Sequence, residues 1–152
     1  MEIEKARYEL EPHIHSFADF ENAKGKKVLE IGVGAGSDFA NWIKNGAIAT
    51  GVDLTDSAIS LTKERLDMLN VDSAHYRLTT GDAENLPFLN NEFDLVYSWG
   101  VLHHTPDTER AVSEVFRVLK PGGRAKIMIY HIPSWAGFML WTRHHLIKGK
   151  FW

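Results

Sequence analysis

A short apolar segment that runs directly into three glycines constrains the fold of this chain more than any other feature. The segment VLEI at 28–31 has the aliphatic, β-branched composition of a buried parallel strand. Gly32, Gly34 and Gly36 follow it at every second position. Glycine lets the backbone turn sharply and approach a ligand closely. The pattern therefore predicts a nucleotide-binding loop, whose ligand could be a dinucleotide, a nucleoside triphosphate or a sulfonium nucleoside.

Strand-like and helix-like segments alternate after this loop. Apolar, strand-like runs recur at 48–53, 74–80, 93–99 and 124–131, and segments of helical periodicity separate most of them. Such alternation is typical of α/β proteins. We predict a Rossmann-like, doubly wound and mostly parallel sheet with helices on both faces.

Details of the helices can also be predicted. Thr55 is expected to cap the second core helix, and Asn45-Gly46 to end the first. A turn is expected at 120–123, before the fifth strand. The helix at 105–119 should bury an apolar stripe with i, i+3, i+4, i+7 spacing. Its members are Val112, Val115, Phe116 and Leu119.

The spacing of the glycines discriminates between the candidate nucleotides. The dinucleotide fingerprint requires Gly or Ala at its third position, which is Ser37 when counted from the first glycine and Phe39 when counted from the second. An NAD-dependent oxidoreductase is thus disfavoured. The phosphate loop fails as well, because no Gly-Lys-Ser/Thr follows. The motif that fits is Glu-x-Gly-x-Gly-x-Gly over 30–36.

This motif resembles that of the class I S-adenosylmethionine-dependent methyltransferases. The resemblance is strongest to the small-molecule branch related to ubiquinone and menaquinone biosynthesis methyltransferases (methyltransferase type 11 domain). Four further segments agree in order and spacing: GVDLT at 51–55, GDAENLPF at 81–88, FDLVYSWGVLHHTPD at 93–107 and RVLKPGG at 117–123. The resemblance implies an enzyme that transfers a methyl group from S-adenosylmethionine to a small-molecule or lipid-like acceptor, with S-adenosylhomocysteine as product. The alternative is a non-catalytic domain that binds the same cofactor as a sensor or structural partner.

The resemblance also implies the residues that hold the cofactor. Asp53 would bind the ribose hydroxyls, and Leu54 would lie on the adenine. Asp82 and the Ala83 N–H would bind the adenine edge, and Glu30 would orient the ammonium group. The predicted cofactor-binding residues are Glu30, Gly32, Gly34, Gly36, Asp53, Leu54, Asp82, Ala83, Ser98 and Trp99.

A general base is needed only if the acceptor loses a proton, as an alcohol or phenol would. Histidine suits this role because its pKa lies near neutrality. His103 and His104, just beyond the fourth strand, are the predicted catalytic residues, and Tyr8, His13 and His15 are alternatives. The chain has two pairs of adjacent histidines, at 103–104 and 144–145. No metal site is predicted, because neither pair has a carboxylate or third histidine at suitable spacing.

The fourth strand bears on the partner. Methyltransferases that act on base amines of nucleic acids usually carry Asn/Asp-Pro-Pro-aromatic there, whereas this chain has Ser-Trp-Gly-Val at 98–101. The difference disfavours DNA as a partner and leaves RNA open. The N-terminal residues do not resemble a secretory signal, and no apolar run approaches the roughly 20 residues that span a bilayer. We expect a cytoplasmic protein.

The chain is predicted to be one domain, 1–152, with an N-terminal lid or helix at 1–25, a cofactor-binding core at 26–131 and an aromatic-basic helix at 132–152. Residues 115–152 contain seven Lys/Arg and no acid. This tail could pack as an ordinary helix, which we favour, cover the substrate, or contact a membrane surface. The sheet of the family ends in a C-terminal antiparallel hairpin. Residues 132–152 are too few to form the predicted helix and two more strands, so we expect a chain shortened at this end.

Overall fold

The structure is a computed structural model that describes residues 7–130. Residues 7–10 are helical, and after Pro12 the chain continues into α1 (His13–Ala18) and a short 3-10 helix, Phe20–Ala23. The described part of segment 1–25 is thus largely helical. The predicted C-terminal helix at 132–152 lies outside the described residues.

The core of the fold is a five-stranded parallel sheet. Its strands are β1 (Lys27–Ile31), β2 (Ile48–Asp53), β3 (Tyr76–Thr80), β4 (Phe93–Trp99) and β5 (Leu119–Met128). They lie in the order β3-β2-β1-β4-β5. All strands are parallel, but β2 and β3 are added on one side of β1, and β4 and β5 on the other. At such a switch in strand order, a crevice opens at the carboxyl ends of β1 and β4. The predicted fold class is thereby confirmed for the described part of the chain.

Helices cover both faces of this sheet. They are α2 (Ser37–Lys44), α3 (Asp56–Met68) and α4 (Thr108–Val118), with 3-10 turns at Ser73–His75 and Leu102–His104. One buried cluster joins α1, α2 and α3 to the sheet, and a second joins α4 to the opposite face. Alternate residues of β1 enter the two clusters, as strand geometry requires: Val28 enters the first and Leu29 the second.

The predicted helix ends are confirmed. The Ala58 N–H donates to the Thr55 hydroxyl oxygen at 3.3 Å, which caps α3. Helix α2 ends at Lys44, and Gly46 then adopts a left-handed conformation with φ 77°. These ends are local, so the sequence was sufficient to place them.

The stripe predicted on α4 is wrong in part. The side chains that α4 buries are Ala111, Val115 and Val118, whereas Val112 is 46% exposed and Phe116 is 82% exposed. Both rows have helical spacing, so periodicity alone does not choose between them. The buried row contains Ala111, whose small side chain allows the helix to approach the sheet closely.

The turn predicted at 120–123 lies inside β5. Phe93 pairs with Leu119, but Leu95 pairs with Arg124, so the residues between them bulge out of register. Gly122 has φ 80° within this bulge. The Lys-Pro-Gly-Gly segment thus bends a strand and does not precede it.

The burial pattern of α4 predicts unequal effects of two matched substitutions. Val115→Ala should lower the free energy of unfolding by about 1–3 kcal/mol, because it leaves a cavity in the core. Val112→Ala should change it by less than about 0.5 kcal/mol. Urea unfolding followed by circular dichroism measures both. Equal losses would show that the buried face of α4 is misassigned.

Candidate functional site

Two adjoining cavities lie at the carboxyl edge of the sheet, on either side of the glycine loop 32–36. One of about 720 Å³ lies between the loop, the N-terminal helical turn and the end of β4; we call it the Glu30 cavity. The other, of about 400 Å³, lies between the loop, the end of β2 and segments 81–83 and 101–106; we call it the Asp53 cavity. Gly32 and Gly34 line both, so the two cavities meet at the loop, and we call them together the cleft.

The three loop glycines are required for different reasons. All have positive φ, at 82°, 52° and 72° in chain order. A Cβ at Gly32 would lie 2.2 Å from Val101, and one at Gly36 would lie 2.8 Å from Thr62. At Gly34 no atom of residues 7–130 lies within 4 Å of such a Cβ. Gly34 thus leaves open space in the cleft, whereas Gly32 and Gly36 make room for protein side chains.

The Asp53 carboxylate ends β2 and faces the glycine loop. Its Oδ2 accepts a hydrogen bond from the Gly34 N–H at 3.1 Å. Its Oδ1 accepts from the Thr55 N–H at 3.1 Å and from the Thr55 hydroxyl at 3.2 Å. These bonds orient the carboxylate before any ligand is present and leave part of its acceptor capacity free.

The other residues predicted to hold the nucleoside line the same cavity. Leu54 projects beside Asp53 and is 71% exposed. Asp82 accepts a hydrogen bond from the Glu84 N–H at 2.9 Å, and Ala83 is buried next to it. The structure therefore brings together Asp53, Leu54, Asp82 and Ala83, which lie in two separate segments of the sequence.

Glu30 is a buried carboxyl group at the floor of the Glu30 cavity. It is 3% exposed, and its Oε2 has no hydrogen-bond partner among residues 7–130. The buried Trp42 indole N–H, which lies near it, is likewise without a well-aligned acceptor in that part of the chain. Burial and the charge of Asp38 raise the pKa of Glu30 well above its ordinary value, although Trp42 and Arg7 act in the opposite direction. Burial thus favours the protonated form of Glu30, whose Oε2 has no hydrogen-bond partner among residues 7–130.

Asp38, which the sequence analysis missed, is the most heavily hydrogen-bonded side chain of the site. The Arg7 guanidinium donates to it twice, at 3.2 and 2.7 Å, and the hydroxyls of Tyr8 and Tyr97 each donate at 2.9 Å. Asn41 in turn donates to the Tyr8 hydroxyl. The cluster attaches the N-terminal helical turn to α2 and β4 beside the cleft.

The protonation states of this cluster follow from burial and from Asp38. Burial and Asp38 raise the pKa values of Tyr8 and Tyr97, so both remain hydrogen-bond donors. Burial alone would lower the pKa of Arg7, but its hydrogen bonds and charge interaction with Asp38 raise it. Tyr97 pairs with Glu30 across β4 and β1, so both face α2, but this register exists only in the assembled sheet. The sequence holds no signal for the contacts of Arg7 and Tyr8 either.

The residues at the end of β4 have separate roles. The Ser98 side chain is buried and donates to the Ile31 carbonyl at 3.2 Å, so it supports the sheet. Trp99 lines the Glu30 cavity, and its indole N–H donates to Glu11 at 3.4 Å. Of the two residues, only Trp99 presents its side chain to the cleft.

The predicted histidines His103 and His104 lie side by side but have different surroundings. His104 is exposed and lines the Asp53 cavity. His103 packs against the rings of His104 and Tyr130, at 4.0 and 5.2 Å between ring centroids. Neither of its ring nitrogens has a hydrogen-bond partner within residues 7–130, and burial and His104 lower its pKa.

The alternative bases in the N-terminal segment are engaged elsewhere. The Tyr8 hydroxyl donates a hydrogen bond to Asp38. His13 packs on Trp99 and His15 packs on Tyr8, with ring centroids 5.3 and 4.3 Å apart. In the part of the chain that the structure describes, no three His, Asp or Glu side chains are grouped to hold a metal ion. None of the helices described there is long and apolar enough to cross a bilayer.

The raised pKa of Glu30 predicts a pH-dependent stability difference for Glu30→Gln. The folded protein retains a proton that the unfolded chain loses above the ordinary value of 4.5, so Glu30 contributes less to stability as pH rises from 4.5 through its folded pKa. Glutamine carries no such penalty. The stability of the variant relative to wild type should therefore increase from about pH 5 to about pH 8.

Thermal unfolding at both pH values measures this difference, and Glu64→Gln, at an exposed position of α3, is the matched control. A difference that stays constant with pH, or one that the control reproduces, would contradict a neutral buried Glu30.

Known proteins resemble this chain in sequence and in fold. It is 35% identical over 118 residues to phosphoethanolamine N-methyltransferase 2 of Caenorhabditis elegans, an alignment that covers 77% of this chain and 26% of that protein. It is 37% identical over 111 residues to the phthiotriol/phenolphthiotriol dimycocerosates methyltransferase of Mycobacterium leprae, covering 72% of this chain and 39% of that protein. The chain thus spans well under half the length of these two relatives.

A solved structure shares the architecture. The YcgJ protein of Bacillus subtilis superimposes with a TM-score of 0.72 and 29% identity, over 87% of this chain and 57% of that one. A family model described as a methyltransferase domain matches residues 29–127, which include most of β1, the glycine loop and most of β5. The chain therefore belongs to the methyltransferase-domain family, within the class I S-adenosylmethionine-dependent methyltransferases that its motifs resemble.

Proposed function

We propose that this chain binds S-adenosylmethionine in the cleft and forms the catalytic domain of a methyltransferase for a small-molecule or lipid-like acceptor. The observation that carries the proposal is the pair of adjoining cavities on either side of Gly34. One holds the buried Glu30 carboxyl, whose Oε2 has no partner among residues 7–130, and the other holds the oriented Asp53 carboxylate. These features match a ligand that has an ammonium group at one end and a ribose at the other.

The Asp53 cavity would hold the adenosine. Asp53 would accept hydrogen bonds from the ribose hydroxyls with its remaining acceptor positions. Leu54 would cover one face of the adenine, and Asp82 and the Ala83 N–H would bind its edge. The exposure of Leu54 in the free protein supports this role, because an apolar ligand face would cover it.

The Glu30 cavity would hold the amino-acid end. The ammonium group would supply the hydrogen-bond donors that the Glu30 carboxyl lacks within the described residues. It would also favour ionisation of Glu30, because an opposite charge stabilises the carboxylate. Loop backbone at Gly32 and Gly34 would lie against the ligand between the two cavities, and Trp99 would form the far wall.

Methyl transfer requires that acceptor and sulfonium be aligned and that water be excluded. Leu10, Trp99 and Tyr130 line the Glu30 cavity with apolar surface and would serve both purposes. Of the two predicted histidines, we propose His103 as the base for an acceptor that must lose a proton. Its neutral ring has no partner in the described residues, whereas His104 lies in the proposed adenosine half.

For the methyl acceptor, we propose only a chemical class. The relatives' names give phosphoethanolamine for one and phthiotriol/phenolphthiotriol dimycocerosates for the other, a small molecule and lipid-like compounds. An acceptor of the same broad kind is consistent with the apolar wall at Trp99 and Tyr130. The cytoplasmic location and contact with a membrane surface stay predictions.

Two measurements test the proposed function. Isothermal titration calorimetry should show binding of S-adenosylmethionine and S-adenosylhomocysteine and no comparable binding of NAD. Incubation with methyl-labelled cofactor and extracts of metabolites and lipids should then transfer label to an acceptor. A preference for NAD would contradict the proposal, and tight cofactor binding without transfer to any acceptor would favour the non-catalytic alternative.

Asp53→Ala should weaken S-adenosylmethionine binding by about 1.5–3 kcal/mol, because it removes charge-assisted hydrogen bonds to the ribose. Asp67→Ala, at an exposed position of α3 outside the cleft, controls for the change in net charge. Titration calorimetry measures both affinities. An unchanged affinity for the Asp53 variant would remove Asp53 from the site.

A further inference from the structure

One charged group of the cofactor has no assigned partner so far. If S-adenosylmethionine binds as proposed above, its ammonium faces Glu30 and its ribose faces Asp53, but its carboxylate needs a hydrogen-bond donor. Arg7 is already engaged, because it donates twice to Asp38 and lies 3.7 Å from Glu11. The backbone of the glycine loop, by contrast, has an N–H group, that of Ala35, without an acceptor among residues 7–130.

The carbonyl of the peptide between Gly34 and Ala35 is hydrogen-bonded to a side chain of α3. The Thr62 hydroxyl donates to the Gly34 carbonyl at 3.1 Å, and Thr62 is fully buried. A trans peptide is planar, so its C=O and N–H point in opposite directions. With the Gly34 carbonyl turned toward α3, the Ala35 N–H is turned away from it, and Ala35 lines the Glu30 cavity. Within residues 7–130, this N–H donates to no acceptor.

Two further contacts make α3 a support for the whole loop. Arg65, one turn after Thr62, donates from Nε to the Ala35 carbonyl. At the start of the same helix, the backbone and hydroxyl of Thr55 hold the Asp53 carboxylate. One rigid helix thus sets the orientation of the glycine loop and of the proposed ribose acceptor together.

We propose that Thr62 is a positioning residue, which fixes the Gly34–Ala35 peptide so that the Ala35 N–H binds the carboxylate of S-adenosylmethionine. The inference rests on the proposed function and extends it to a residue that does not itself line the cleft. Without the hydroxyl, the Gly34 carbonyl loses its buried partner and the peptide is free to rotate, which costs the cofactor one charge-assisted hydrogen bond.

A purely structural role for Thr62 makes a different prediction. Its side chain also fills the space beside Gly36, where an added Cβ would lie 2.8 Å from it. If filling that space were its whole purpose, valine would replace threonine without loss, because the two side chains have nearly the same shape. The hydroxyl, and not the shape, is therefore the group to test.

The experiment compares S-adenosylmethionine with its decarboxylated form, which keeps the nucleoside, the sulfonium and the amine. Titration calorimetry on the full chain should show that Thr62→Val weakens binding of S-adenosylmethionine at least about tenfold while binding of the decarboxylated form is unchanged. Thr62→Ser, which retains the hydroxyl, should bind both ligands as wild type does. Ser60→Val, at an exposed position of α3, controls for a β-branched residue in the helix.

The outcomes separate the two proposals. An unchanged affinity in Thr62→Val, or an equal loss for both ligands, would overturn the role of Thr62 and leave the proposed function intact. Failure of the wild-type protein to bind S-adenosylmethionine would overturn the proposed function itself. If Thr62→Val does not fold, as thermal unfolding would show, Thr62→Ala removes the same hydroxyl and gives the same comparison between the two ligands.

Discussion

The buried carboxylate of Asp38 accepts four hydrogen bonds, from Arg7, Tyr8 and Tyr97, and these bonds join the N-terminal helical turn to α2 and β4. A buried charge is stable only when it is paired and hydrogen-bonded, so the N-terminal turn is a necessary part of the site. The same arrangement explains Glu30. Its neighbour Asp38 is held by Arg7, and burial together with the charge of Asp38 raises the pKa of Glu30 and so favours its neutral form.

The glycine loop has its shape before a ligand binds. Val101 occupies the space beside Gly32, Thr62 occupies the space beside Gly36, and the Gly34 N–H is held by Asp53. Each of the three glycines with a left-handed backbone conformation is thus fixed by a contact from another element. A loop ordered in this way loses little conformational freedom on binding, which favours affinity. Of the three loop glycines, Gly34 is the one at which the described residues leave the position of a Cβ open.

The electrostatics of the cleft suit the proposed reaction. S-adenosylmethionine carries a net positive charge, and S-adenosylhomocysteine has lost the sulfonium charge. A cavity lined by Glu11, Glu30 and Asp38, with Arg7 as the cation in its described lining, would attract the donor more than the product. Even with Glu30 protonated, Glu11 and Asp38 outnumber Arg7 among the charged residues of the described lining, so the cavity would favour exchange of product for substrate.

Local sequence signals determined much of the fold. The apolar runs placed β1, β2 and β4, Thr55 placed the start of α3, and Asn45-Gly46 placed the end of α2, because each depends on residues within a few positions of one another. The glycine spacing, with Glu30 ahead of it, indicated the family that the comparisons then established. The predicted roles of the individual site residues stay proposals, although the cleft gathers most of them.

Tertiary packing decided what periodicity left open. It chose Ala111, Val115 and Val118 as the buried row of α4 and placed the glycines at 122–123 inside β5. It also brought Arg7 and Tyr8 to Asp38 across about 30 positions, and Tyr97 across 59. Sequence spacing carries no signal at such separations. Side-chain partners, and the pKa values that depend on them, exist only once the sheet and its helices have assembled.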